Sequence, residues 1–140
     1  MPCRLAPVCP REAAIMLKFD VIHLKSRDVQ AAAAWYRDFL GAEIIESFEN
    51  ARGKTVRTRL PGTAINITQQ PDADSLPGVP LEEHIGIEHI GFRVSNLDDT
   101  LADMRSRGAE IIGPVYTGDR NNRWFFVRAP DGVRLEIVQD

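Results

Sequence analysis

Two imidazoles and one carboxylate are the groups in this 140-residue chain best placed by type and spacing to do chemistry: His23, His89 and Glu136. His23 lies in the apolar run FDVIHLK, His89 in IEHIGFRV and Glu136 in VRLEIVQ. On a strand alternate residues share a face, so Leu135 and Ile137 point one way and leave Glu136 on the other; Ile65 and Ile67 isolate Asn66 in the same manner. Gly91 follows His89 by two and leaves space beside it. Two imidazoles and a carboxylate turned into one cleft suit a divalent first-row metal, Fe2+, Ni2+, Co2+, Mn2+ or Zn2+, with positions left open for substrate. His84 lies in a Pro-rich segment without a counterpart and reads as a solvent-facing loop residue.

A repeat positions these groups. GAEII occurs at 41–45 and again at 108–112; His23 precedes the first copy by 18 residues and His89 the second by 19. PGTAINITQ (61–69) and PDGVRLEIVQ (130–139) close the two halves, with Asn66 four residues after Gly62 and Glu136 four after Gly132. This is a duplicated unit, and it puts the two histidines at corresponding strand positions and Glu136 opposite Asn66.

Each unit reads as strand, helix and three strands. In the first, FDVIHLK is the strand, Ser26 or Asp28 caps the helix, and Val29, Ala32, Ala33, Tyr36, Phe39 and Leu40 form its buried stripe before Gly41 stops it. In the second, Ser95 or Asn96 is the cap, Leu97, Leu101 and Met104 the stripe, and Gly108 the stop. The following strands are AEIIESFEN, KTVRTRL and TAINITQ, then AEIIGPVYT, RWFFVRA and VRLEIVQ. Module one spans 17–69 and module two 87–139. A linker with three Pro (70–86) packs over the sheet.

HLKSRDVQAAAAWYRDFLGAEI, GIEHIGFRVSNLDDTLADMRSRGAEI and APDGVRLEIVQ, in this order, resemble the vicinal oxygen chelate superfamily, which includes glyoxalase I, methylmalonyl-CoA epimerase, extradiol dioxygenases and bleomycin- or fosfomycin-resistance proteins. The resemblance covers about residues 17 to 139. It implies an α+β domain of paired βαβββ modules curved into a half-open barrel. It further implies a homodimer, and one divalent metal per site held from the first and last strands of each unit, at His23, residue 66, His89 and Glu136.

Asn66 departs from the Glu, Gln or His usual at the fourth position of glyoxalase-like and epimerase-like relatives, and is a weak or water-mediated ligand at most. With Glu136 as the lone anionic ligand, a dication keeps net positive charge and favours an anionic oxygen. Two chemistries follow. In the first, lyase or isomerase chemistry of the glyoxalase or epimerase kind, the metal binds two adjacent oxygens and stabilises an enediolate. Glu136 moves the proton, with Glu46 or Glu49 as other bases. In the second, His23, His89 and Glu136 form the two-His, one-carboxylate set of an Fe(II) dioxygenase, which needs a further acid beside the ligands, for which His84 or Tyr116 are weak candidates. A third reading, of another class, is a drug- or metabolite-binding protein without chemistry.

Arg93 and Lys25 share their strands' ligand faces and suit a substrate carboxylate or phosphate. TGDRNNRW (117–124) offers Arg120 and Arg123 as an anion clamp, with Asp119 to Asn122 deciding substrate identity; Trp124 and Trp35 read equally as core. Net charge −3, from 17 Lys+Arg and 20 Asp+Glu, without a basic stripe, argues against nucleic acid. No 18-residue apolar run suggests a membrane span, and the Pro- and Arg-broken start does not suit a secretory signal, so a cytoplasmic protein is expected. Residues 1–15 read as a disordered tail holding Cys3 and Cys9, with Met16 an alternative start.

Overall fold

The computed structural model describes residues 17–80 and 82–140, so the expected tail, its two cysteines and Met16 lie outside the described residues. Asp28 and Asn96 begin the two helices, each in extended backbone, their side chains accepting from the Ala31 and Asp99 amides. Such caps satisfy amides that have no partner inside the helix. The helices are α1 (Val29–Leu40) and α2 (Leu97–Ser106). A second tie is repeated as well: Gln69 accepts from the Val29 amide at 2.9 Å and Gln139 from the Leu97 amide at 2.8 Å, so the last strand of each unit clamps the start of its own helix. Gly41 ends α1 in the left-handed region at φ 69, and Gly108, at φ 84, stands one residue beyond the α2 cap.

The strands are β1 (Ile22–Ser26), β2 (Glu43–Asn50), β3 (Gly53–Leu60), β4 (Thr63–Gln69), β5 (Ile90–Val94), β6 (Glu110–Thr117), β7 (Arg123–Arg128) and β8 (Arg134–Gln139). They form two four-stranded sheets, ordered β1-β4-β3-β2 and β5-β8-β7-β6, with β1–β4 and β5–β8 parallel and the other pairs antiparallel. This is the expected α+β pair of βαβββ units. No ladder joins the two sheets, so the described chain closes no barrel. The first strand of each unit is shorter than expected: residues 19–21 and 87–89 lie outside the ladders.

Each helix covers one face of its sheet, and both units share one hydrophobic core. Val29, Ala32, Ala33 and Tyr36 of α1 and Leu97, Leu101 and Met104 of α2 supply the helical side; Val56, Ile65, Ile67, Phe125, Val127, Leu135 and Ile137 supply the sheets. The units also meet at their helix ends, where Arg107 donates to the Asp38 carbonyl and lies 4.6 Å from the Phe39 ring centre. The linker, with one 3-10 turn at Ala73–Ser75, straps the units together. The Val79 amide donates to the Asp131 carbonyl at 2.9 Å, and Arg27 bonds both the Asp131 carboxylate and the Leu76 carbonyl. No described helix is long and apolar enough to cross a membrane.

Candidate functional site

With the helices covering one face of each sheet, the opposite face carries the candidate residues, and the ladders fix which stand side by side. In the first sheet one row across the strands reads His23, Asn66, Arg57, Glu46; the next reads Lys25, Thr68, Thr55, Phe48. In the second sheet the matching rows read Gly91, Glu136, Phe126, Ile112 and Arg93, Val138, Trp124, Tyr116. His23 pairs with Asn66 where Gly91 pairs with Glu136, so the counterpart of His23 is Gly91, and that of His89 is Val21. The two histidines share a face but stand two residues out of step. This corrects the reading of them as equivalent positions. His89 is two residues farther from its helix than His23, while the second unit runs one residue shorter from helix start to glycine; the differences nearly cancel in the spacing to GAEII.

His89 sits between two carboxylates. Its Nδ1 bonds Glu88, and its Nε2 lies 3.3 Å from Glu136 Oε2. Glu88 is also bonded by Arg134; the His89 bond first, then Arg134, holds its carboxyl below the ordinary range. A carboxylate on one ring nitrogen fixes the orientation of the other, here toward Glu136. Gly91 leaves the space beside this pair open, since a Cβ there would reach Glu136 Oε1 only at 4.0 Å.

His23 has a different setting. Its Nε2 bonds Thr68 Oγ1 at 2.7 Å, which in turn lies 3.0 Å from Thr55 Oγ1. With Lys25 it lines a cavity of about 370 Å3 against the linker and Asp131, and neither His89 nor Glu136 reaches that cavity. Among the described residues no three His, Cys, Asp or Glu side chains come close enough together to hold a metal ion. Two strong donors, His89 and Glu136, stand where structural and catalytic sites use three or four. The unit-one counterparts of these donors, Val21 and Asn66, add one weak amide oxygen. Within one chain the described residues therefore do not fit a resident dication.

Of the other candidates, Arg93 faces solvent on the Glu136 face. Arg120 is exposed in a tight turn closed by Gly118 and Asn122, with Asn121 at φ 61. Arg123 is on the helix-covered face of β7 and bonds Asp98 of α2 twice, at 2.8 and 3.1 Å, so its guanidinium is engaged with the helix. Glu46 is bonded by Arg57, and both His84 nitrogens bond carbonyls of its own turn. Trp35 packs on Tyr36 and Phe39 at the core margin. Trp124 and Tyr116 do not: they stack at 5.7 Å and 17° on the helix-free face, Tyr116 also meets Phe126 at 5.8 Å, and Phe126 meets His89 at 5.5 Å. The sequence signal for this ridge is in RWFFVR, where aromatics occupy both phases of the strand alternation while the core uses only one.

The family description Glyoxalase/Bleomycin resistance protein/Dioxygenase superfamily matches residues 18–137. The chain belongs to that superfamily. Solved superfamily structures share the fold: a glyoxalase family protein from Enterococcus faecalis is 21% identical with TM-score 0.74, covering 87% of this chain and 97% of that one. The fosfomycin resistance protein FosX from Listeria monocytogenes is 19% identical with TM-score 0.71, covering 90% and 95%, and another FosX structure is a complex with Mn(II) and sulfate. TioX from Micromonospora sp. ML1 is 18% identical with TM-score 0.64, covering 87% and 98%. Comparison with curated proteins finds no match.

Proposed function

We propose that this superfamily member binds a small oxygen-bearing molecule directly on the His89–Glu136 pair, without a resident divalent metal. The observation that carries this reading is the register: the unit-one counterparts of His89 and Glu136 are Val21 and Asn66, so the two units together offer two strong donors where the duplicated site would offer four. Glu88 accepts from His89 Nδ1 and holds the ring; the imidazolium form of His89 donates through Nε2–H to a ligand carbonyl or anionic oxygen, and Glu136 accepts from a ligand hydroxyl. Metal analysis of protein purified without chelator tests this. The expected result is well below one metal per chain and no change on His89→Ala. Stoichiometric Fe, Ni, Co, Mn or Zn that is lost on His89→Ala overturns it.

One observation favours a second reading, the metal-dependent lyase or isomerase, or the Fe(II) dioxygenase. His23 and Asn66 are paired on a helix-free face, and the segments entering edge strands β1 and β5 expose apolar residues at equivalent positions, Phe19 at 70% and Ile87 at 82%. A second copy covering those segments would make a homodimer and bring the face of one unit to the other unit of its partner. In that arrangement His23 would be a third protein donor beside His89 and Glu136, and the bound metal would polarise adjacent oxygens of the substrate. A dimer by light scattering, with metal lost equally on His23→Ala and His89→Ala, selects this reading; oxygen uptake with catechols separates the dioxygenase from the lyase or isomerase.

A further inference from the structure

The helix-free face of the second sheet carries three aromatic side chains that the core does not need. Phe125 and Val127, on the other face of β7, are fully buried and supply the core contact, while Trp124 and Phe126 point away from it. Nor does the fold require Trp124 and Phe126, since the first sheet has Thr55 and Arg57 at the equivalent places and keeps an aromatic only at Phe48, the counterpart of Tyr116. Leaving Trp, Tyr and Phe on an open sheet face is unfavourable unless something apolar covers them.

The row through Trp124 gives the shape of what would cover it. Tyr116 covers one face of Trp124; on the other side stands Val138, a short side chain, and beyond it Arg93, which has no ion pair among the described residues. The neighbouring row puts Gly91, with no side chain, beside Glu136. The result is a slot with an aromatic wall at one end, a guanidinium at the other and the His89–Glu136 pair along its side. Aromatic walls favour stacked or edge-on planar rings, and a guanidinium favours a carboxylate or phenolate oxygen.

We propose that the ligand of this site is a planar aromatic anion, its ring against Trp124, which Tyr116 backs, and its carboxylate or phenolate oxygen on Arg93. The proposal rests on the reading of His89 and Glu136 as the ligand-binding pair and names the class of molecule they receive.

Trp124 fluorescence in a Trp35→Phe background, which leaves a single tryptophan, tests it on chelator-treated protein. The probes are 1-hydroxy-2-naphthoate, its ring-saturated analogue decahydronaphthoate, and neutral 2-methylnaphthalene. Saturable quenching by the hydroxynaphthoate is expected, with the saturated acid at least tenfold weaker. Arg93→Gln should weaken the hydroxynaphthoate about tenfold and leave the neutral ring unchanged, and circular dichroism checks that the variant is folded. Equal binding of saturated and aromatic acids, or indifference of the hydroxynaphthoate to Arg93→Gln, overturns the proposal. If quenching appears only after metal is added back, the aromatic slot stands and the metal-free reading falls. If no probe binds with or without metal, the slot falls and metal content alone judges the other.

Discussion

Set side by side, the two units keep one face in common and differ on the other. Behind the helices the pairs Ile65 and Leu135, Ile67 and Ile137, Val56 and Phe125, Thr58 and Val127 stand at equivalent places, and all are buried. On the open faces the first sheet has His23, Asn66 and Arg57 at the positions where the second has Gly91, Glu136 and Phe126. The first open face is polar and internally bonded: His23 to Thr68, Thr68 to Thr55, Arg57 to Glu46 and over Phe48 at 4.9 Å. The second is aromatic, with an acid–imidazole–acid cluster beside it. The core must be filled at near-crystalline density in both units, which restricts the helix-covered positions. The helix-free faces are filled only in part, at buried Thr55 and Thr68 of the first sheet, and the division of labour between the units is found there.

The largest expected effect concerns a glycine the two units share. Gly62 and Gly132 open the last strand of their units with φ 80 and φ 82, but a Cβ at Gly62 meets nothing within 4 Å, whereas at Gly132 it would lie 2.3 Å from the Val79 carbonyl. Gly62→Ala should cost about 1 kcal/mol, the strain of a left-handed alanine. Gly132→Ala adds a collision with the linker and should cost about 3 kcal/mol. Urea denaturation of both variants decides it. Equal losses would mean that the linker strap yields freely and is not a fixed part of unit two.

A second test restores what unit one lacks. Val21→His with Asn66→Glu gives unit one an imidazole and a carboxylate at the counterparts of His89 and Glu136. Retention of Mn2+ or Ni2+ through gel filtration should tighten roughly 100-fold, about 2.7 kcal/mol, with Asn66→Glu alone giving a smaller gain. Unchanged retention would show that residues 21 and 66 do not meet His89 and Glu136 across any interface, and that the two open faces serve separate clefts.

Much of this comparison was legible in the residues. The duplication, both helices with their caps and stops, and all eight strands follow from period, capping chemistry and the recurrence of GAEII. Glu136 on the face opposite Leu135 and Ile137 follows from strand alternation. Spacing to GAEII makes the histidines look equivalent because it runs across a helix whose length differs between units; from the helix caps Asp28 and Asn96 the two-residue offset shows. That Arg123 lies on the helix side is not legible, because its side of the strand depends on the phase of β7, and RWFFVR is apolar in both phases. The same ambiguity hid the Trp124 and Phe126 ridge. That His23 belongs with Thr68, and Glu88 with His89, depends on side-chain contacts across strands and within a non-ladder segment, for which a linear pattern has no signal.

The smallest expected effect separates the entries to β1 and β5. His84 Nδ1 lies 3.0 Å from the Glu82 carbonyl and Nε2 3.0 Å from that of Ile87, and only the imidazolium can donate to both. Those bonds, to Glu82 first and then Ile87, raise its pKa above the usual histidine value; Glu88 adds to the rise and Arg134 opposes it. The sequence before β1 has no histidine ahead of His23, so no such clamp exists there. For a group whose folded pKa is raised, the contribution to stability is fully present below the unfolded value and is lost as pH rises through the folded one. The turn leading to His89 should therefore be tighter at mildly acidic pH and loosen above the ordinary histidine range. Hydrogen exchange at the 82–87 amides should quicken a few-fold more across that range than base catalysis alone provides, and His84→Ala should abolish the excess. An NMR titration midpoint for His84 at or below that of a free histidine would remove the clamp, and with it any pH-dependent difference between the two strand entries.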